Sequence, residues 1–556
     1  MRFAAPHLAF LAVLTGALLL RLPALGWLPS PAGDEGNWAQ YGLAISRGEP
    51  AALAPDAAFV SMLFAHLMAL SIKVMGATFV ATRGVNVAGL LLGMILAYAA
   101  LVRLGSRAAG LGVAALLALH PWAVMYSRTA SVPYALALAA MTAGPLWFAV
   151  GVLGRRPLEV GAGLVITGLA IHFSPLAAVA VVACGVFLLF PTHRWLLRDP
   201  ATWVAAFISA AHGLPVVLGA LKLAAQPSAS ALDNFWPHLW GYTHMMGTAL
   251  LGEATVRHFT NEALSARTAS LLLLPLAAFV AYGLRCARGG ILGGFPAVYF
   301  GAGLLVTPLI LAPGREWYLP ANHMDRYLFA LLPGFAMLTA EIAARSGVVA
   351  RGVLILLLLW PAASTARIGH AMLGGGVDHG EGIWDGGGGY RGWLVSDQPK
   401  STLVQIRETV MTQPGAQGGA LIYADRAFIP MGFVMNGTGV PVYDVRRTTL
   451  PQTKEGVYFI LLWPDNVLSV HNPPTAHPKY VAANQNLRER MHSIFSRVRM
   501  VRQLRGRDGS PLIEIWRAED GPPRLFLPDE TAERRKRKKP GNASEEPVAA
   551  DEPLPN

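Results

Sequence analysis

Charge is what this chain has least of. Only 14% of its 556 residues are Asp, Glu, Lys or Arg, and 53% are hydrophobic, whereas an ordinary soluble domain carries about 25% charge. That shortfall excludes a soluble globular protein and implies an integral membrane one. Cysteine is scarcer still. Cys184 and Cys286 are the only two, each in or beside an apolar stretch, which excludes a disulfide framework and suits small buried hydrophobes better than metal ligands. No two histidines have the H-x-x-x-H spacing of a zinc site, and no internal repeat is evident. The formal charge of +12 could suggest nucleic acid, but in a membrane protein Lys and Arg first report orientation, so no nucleic-acid partner is expected.

What is abundant is apolar sequence in runs near the length, about 17–25 residues, that a bilayer requires. They lie near Pro6–Leu25, Ala81–Val102, Leu111–Val124, Pro133–Leu153, Val160–Phe173, Pro175–Phe190, Thr202–Leu223, Ala269–Tyr282, Ile291–Leu311, Tyr327–Ala344 and Gly352–Thr365. The pattern predicts an α-helical polytopic membrane protein with about eleven transmembrane helices. The first run, with Arg2 ahead of it, could pass for a secretory signal; it is read here as a retained helix. A cytoplasmic amino terminus puts the basic connectors Arg103–Arg107, Arg155–Arg156, His193–Arg198, Arg285–Arg288 and Arg345–Arg351 together on the cytoplasmic side of the plasma (inner) membrane. Phe59–Met75 would invert that order if it crossed. His66 and Lys73 interrupt its apolar face, as in a helix lying in the headgroup region, so it is read as interfacial or re-entrant, with a true crossing as the alternative.

After the last run the composition changes. Residues 1–365 form the membrane module, 366–398 a glycine-rich connector, 399–525 a small α/β domain on the periplasmic or extracellular side, and 526–556 a charged tail with nothing to bury. Strands are expected at Ala420–Tyr423, Val440–Val445 and Val457–Trp463, a helix over Asn486–Arg497, and a hairpin from Val498–Leu504 and Leu512–Trp516.

The residues that could carry chemistry fall on the outer side. Asp34 and Glu35 are adjacent acids a few residues past the first run. Carboxylates beside hydrocarbon usually face water or a cavity, and a carboxylate that reaches an acceptor hydroxyl can serve as general base. Two neighbouring negative charges call for a cation, and Arg21, Arg83, Arg128, Arg315 and Arg326 are available. The plain alternative is that Asp34 caps a helix over Gly36–Ile45. Before the tenth run, Asn322-His323-Met324-Asp325-Arg326-Tyr327 places a guanidinium where it could grip a phosphate through two parallel hydrogen bonds, or could simply snorkel to the interface. His120-Pro121-Trp122, Tyr126-Ser127-Arg128 and His172 with Ser174 occupy further outer turns. The long outer loop Leu223–Arg267 carries Trp236, Trp240 and His244 among other aromatic and histidine residues, and tryptophan faces suit either sugar rings or an aromatic belt. Asp378, His379, Glu381 and Asp385 have metal-ligand composition in a glycine-rich connector.

Arg21-Leu22, Asp34-Glu35 with Trp38 and Tyr41, Ala81-Thr82-Arg83, Ser127-Arg128 and Asp325-Arg326-Tyr327-Leu328, in their placement, resemble the polyprenyl-phosphate-sugar-dependent glycosyltransferases of the GT-C fold, the superfamily of aminoarabinose transferases and protein O-mannosyltransferases. The resemblance covers about residues 1–365. It implies transfer of a sugar, with inversion, from a polyprenyl-phosphate donor to an acceptor of unknown kind, whether lipid, glycan or protein. Asp34 would be the catalytic base and Glu35 its orienting partner. Arg326, His323, Arg128 and Tyr327 would hold the donor phosphate, and Arg83, His172, Trp240 and His244 would line the substrate site. The chain departs from relatives that place an acid after the Ser-Arg turn, reading Arg128-Thr129-Ala130-Ser131 instead. No metal is assigned, although a divalent cation on Asp34 or Glu35 stays open. The rival reading is a lipid or lipid-linked-sugar flippase, a transporter without transfer chemistry.

Overall fold

The computed structural model describes residues 5–27, 33–49, 62–130, 132–224, 235–260, 271–311, 324–374, 401–424, 428–444, 453–464, 478–505 and 511–519, with short pieces at 382–383, 389–390, 450–451, 509 and 524–525. His323, most of the glycine-rich connector and the 526–556 tail lie outside the described residues.

Helices follow the apolar runs. They are α1 (Ala5–Arg21), α2 (Gly33–Ser46), α3 (Leu63–Met75), α4 (Phe79–Arg103), α5 (Arg107–Leu119), α6 (Pro121–Ser127), α7 (Tyr134–Gly154), α8 (Pro157–Ala170), α9 (Ala178–Leu188) and α10 (Pro200–Ala224). Then come α11 (Phe235–Leu250), α12 (Glu253–Thr260), α13 (Leu273–Ala287), α14 (Phe295–Leu311), α15 (Leu332–Ala343) and α16 (Val348–Gly374), with a 3₁₀ helix over Met324–Leu331. By length and composition α4, α7 and Val348–His370 of α16 can each cross a membrane. Two bent pairs have the length and composition of a broken span or a re-entrant loop: α5 with α6, at 61°, and Pro175–Leu188 with Pro191–Arg198, at 101°. The stretch 223–267, expected as a loop, contains α11 and α12 instead. Tyr242, Met245, Ala249 and Leu250 are buried in α11 and recur at helical spacing, so this segment gains more by packing one stripe than by remaining open.

Side-chain register sets the direction of the packed helices. Leu136 and Ala139 of α7 cover Gly89 and Gly93 of α4, so these two run the same way. Thr167 and Val160 of α8 meet Gly144 and Gly151 of α7, so α8 runs back. There the approach is backbone to backbone: a Cβ on Gly163 would stand 2.2 Å from the Phe148 amide nitrogen. Without a hydrophobic drive between helices in lipid, such close contact is a main source of association. Tyr98 of α4 against Gly110 of α5, and Ala343 of α15 against Gly112, give antiparallel pairs.

The helical module therefore has two unlike ends. One collects the carboxyl ends of α1, α5 and α8 with the amino ends of α4, α7 and α15. The other collects the basic connectors. There Arg103 Nε donates to Glu159 at 2.9 Å, the buried Glu341 accepts from the amides of Ile291 at 3.1 Å and Leu292 at 2.7 Å, and Arg345 donates to the Cys286 carbonyl.

The chain then builds an α/β unit from α17 (Thr402–Met411), β1 (Ala420–Tyr423), α18 (Met431–Val434), β2 (Val442–Asp444), β3 (Val457–Leu462), α19 (Pro478–Ile494), β4 (Arg497–Arg505) and β5 (Pro511–Glu519). Its five-stranded sheet has the order β2-β1-β3-β5-β4. β1 is parallel to β2 and β3, and β5 is antiparallel to β3 and β4. Every residue of β3 is buried, because alternate side chains feed two layers. Phe459 and Leu461 pack with Leu403, Ile406 and Phe433 on one face, and Tyr458, Ile460 and Leu462 pack with Leu487, Met491 and Phe495 on the other. The helix expected from Asn486 starts earlier, at Pro478, a residue suited to a first helical turn.

Candidate active site

Pro121 breaks the helix between α5 and α6, and a proline can supply no amide hydrogen to the carbonyl four residues back. In a membrane interior each such carbonyl must find another donor. Arg21, at the carboxyl end of α1 and fully buried, supplies them. Its Nη2 donates to the Leu117 carbonyl at 2.9 Å and its Nη1 to those of Ala118 at 3.2 Å and Ala17 at 2.9 Å. Its Nε donates to Ser127 Oγ at 2.9 Å. The Thr365 hydroxyl donates to the Leu119 carbonyl at 2.6 Å. His120 closes the break, its Nδ1 accepting from the Trp122 amide at 3.2 Å and its Nε2 lying 3.0 Å from the Leu250 carbonyl.

Arg128 returns the service. It follows α6 and donates from Nη1 to the carbonyls of Leu20 at 3.0 Å and Arg21 at 2.9 Å, and from Nη2 to that of Pro23 at 2.7 Å. The first two are the last carbonyls of α1, which a helix cannot satisfy itself, and Pro23 follows that helix. Arg128, expected at the donor phosphate, is thus placed against the end of α1.

The two acids part company in space. Glu35 is buried and forms a two-pronged ion pair with the buried Arg83, Nε to Oε1 at 2.6 Å and Nη2 to Oε2 at 2.8 Å. The Ala130 amide donates to the same Oε1 at 2.9 Å, and Arg83 Nη1 donates to the Leu25 carbonyl at 2.8 Å. Arg83, expected as a substrate-lining group, is therefore the counter-charge of Glu35. Asn86 Nδ2 holds the same turn through the carbonyls of Thr129, at 2.7 Å, and Val132, at 3.3 Å. Asp34 occupies the first turn of α2 and is half-buried. The helix begins at Gly33, so Asp34 sits inside it, where helix dipole and open amides favour a negative charge.

On the far side of α6 lies an aromatic wall. Trp122 stacks on Tyr126 at 4.5 Å and on Phe329 at 4.7 Å, and Tyr134 meets Tyr327 edge to face at 6.0 Å. Tyr327 and Phe329 belong to the Met324–Leu331 helix, which also bears Arg326 and packs on α11, the helix of Trp240 and His244. The side chains of Arg326, Trp240 and His244 lie outside the described residues. His172 follows α8 at the same end, its ring 5.5 Å from that of His212. Among the described residues no three His, Cys, Asp or Glu side chains gather as a metal site would need.

Sequence reasoning missed the docking of the α/β unit on α2. Gln40 Nε2 donates to the Ile429 carbonyl at 3.2 Å, Arg47 donates to Asn436 Oδ1, and Phe433 packs on Phe79 with ring centroids 5.0 Å apart. No local pattern signals contacts between residues 389 apart in the chain.

No protein-family profile and no curated sequence matches the chain. Solved structures do. ArnT from Cupriavidus metallidurans, in a crystal structure bound to undecaprenyl phosphate, superposes with a TM-score of 0.52 at 12% identity, over 92% of this chain and 98% of that one. The arabinofuranosyltransferase AftD from Mycobacteria gives 0.46 at 13% identity over 93% of this chain and 40% of that longer one. The fold shared with ArnT, end to end, is the GT-C fold of membrane proteins.

Proposed function

We propose that the chain is a membrane glycosyltransferase that moves a sugar from a polyprenyl-phosphate donor to an acceptor hydroxyl at the outer face of the plasma membrane. The observation that carries this reading is the placement of two adjacent acids on the first turn of α2, at the end opposite the basic connectors: Glu35 is buried against Arg83 and the Ala130 amide, and Asp34, one residue away, is half-buried. The fold shared with ArnT, which was crystallised with undecaprenyl phosphate, supports the donor class. The acceptor remains any hydroxyl compound.

In this reading Asp34 takes the acceptor proton as the oxygen attacks the anomeric carbon. The new C–O bond forms on the face opposite the breaking one, and the phosphate departs with the electron pair, giving inversion. Arg326, with His323 and Tyr327, neutralises the charge that grows on that phosphate. Glu35 keeps α2 in place. The basic connectors put the opposite end in the cytoplasm with the amino terminus, so the α/β unit stands outside, and about eleven crossings accommodate the apolar helices.

The test uses purified protein with a panel of undecaprenyl-phosphate-linked pentoses and hexoses, scored by release of free undecaprenyl phosphate. Asp34→Asn should retain the fold and lose release by about 100-fold or more, as expected for removal of a general base. Full turnover by Asp34→Asn ends the assignment. A wild-type protein that moves the labelled lipid across liposomes without cleaving it would favour the flippase reading.

A further inference from the structure

Helix α2 is gripped on three sides. Glu35 ties it to α4 and to the turn at Ala130. Trp38 packs on Phe64 with centroids 5.5 Å apart, and a Cβ on Gly42 would lie 2.8 Å from Met68 Cβ, so α3 holds a second side. The third stripe, Gly36, Gln40 and Arg47, faces the α/β unit. A Cβ on Gly36 would stand 2.6 Å from Pro430 Cα and 2.7 Å from Pro430 N. Real side chains do not come that close to backbone, and Pro430 has no flexible atoms there to move aside. Gln40 crosses to the Ile429 carbonyl, and Arg47 to Asn436. The same short segment continues through Phe433 to Phe79, the first residue of the helix that carries Arg83. Residues 429–436 therefore touch both helices that form the Glu35–Arg83 pair, and they meet α2 only two residues from Asp34.

We infer that the Ile429–Asn436 segment is a positioning element for Asp34, so that the placement of the catalytic base depends on how the α/β unit is seated. The inference rests on the role given to Asp34 above. Gly36 is the contact that makes the seat possible, because any larger residue separates two backbones, and the unit acts through α2 without itself touching the reacting atoms. A shift near 1 Å in a catalytic group can cost about 100-fold in rate, so even a small displacement of this seat matters.

The experiment compares full-length wild type with Gly36→Ala and with Arg47→Ala/Asn436→Ala at the edge of the seat. Three quantities are read: amide hydrogen exchange in α2 and residues 428–436, binding of undecaprenyl phosphate, and transfer from the active member of the donor panel to ethanol and to the more acidic trifluoroethanol. Gly36→Ala should speed exchange in both segments, leave undecaprenyl phosphate affinity within about twofold, and lower kcat for ethanol by about 10- to 100-fold. Trifluoroethanol, whose hydroxyl needs less help from a base, should lose severalfold less. The edge variant should show the same pattern at reduced size. Unchanged kcat in Gly36→Ala despite faster exchange overturns the inference, and so does exchange that does not change. Equal losses for both alcohols also overturn it, since they mark a general structural defect. A wild type that releases no undecaprenyl phosphate from any donor refutes the transferase reading itself, whereas the exchange arm still reports whether the seat exists.

Discussion

The two ends of the helical module use arginine in opposite ways. At the end of Asp34, Arg21 and Arg83 are fully buried and Arg128 nearly so, and their guanidinium nitrogens meet carbonyls, a hydroxyl or a carboxylate at fixed places. At the other end Arg103 and Arg156 have side chains 55% and 43% exposed, and both lean on Glu159. The first set repairs the backbone where helices break and start; the second lies at exposed connectors and shares one carboxylate. Charge that costs energy to bury is retained where it holds irregular backbone in place, and irregular backbone is what a site inside a membrane protein needs.

That contrast can be broken by mutation. Arg83→Met should have the largest effect, because it strands the buried Glu35 carboxylate, and removing one partner of a buried pair costs about 3–5 kcal/mol. Thermal unfolding in detergent would show it as a marked fall in midpoint, and Glu35→Leu/Arg83→Met should fall less than Arg83→Met alone. Arg21→Met comes next: it leaves the Leu117 carbonyl, which Pro121 cannot serve, and the Ala118 carbonyl, whose Trp122 amide is turned to His120, without their donor, at about 1–3 kcal/mol for a buried polar group. Arg103→Ala should be the mildest, within about 1 kcal/mol and smaller still in high salt, as for an exposed pair. If Arg103→Ala proved as damaging as Arg83→Met, the distinction between the two ends would be lost.

Much of this architecture was legible in the order of residues, and the reason is local. Apolar runs such as Pro133–Leu153 and the strand Ala420–Tyr423 declare themselves within their own length, and α7 and β1 occupy almost those limits. Asp34-Glu35 stood out because adjacent acids beside a membrane need a cation. Which cation was not legible: five arginines were available, and Arg83 was selected by a fold that closes 48 residues of chain. Arg128 carried a phosphate-binding expectation through the family resemblance; the carbonyls it meets, 105 to 108 positions away, were not legible. The loop reading of 223–267 failed at α11 because its aromatic and histidine residues drew attention away from the buried stripe beneath them.

The capping of α5 by Arg21 also constrains assembly. Helix α1 carries a guanidinium whose hydroxyl partner on Ser127 lies 106 residues further along the chain, so that side chain cannot meet its full set of acceptors until the broken pair α5–α6 has been built. Losing that helix would take away the donor that Arg21 brings to the Leu117 and Ala118 carbonyls at the carboxyl end of α5, so the order in which helices pack is written into one side chain.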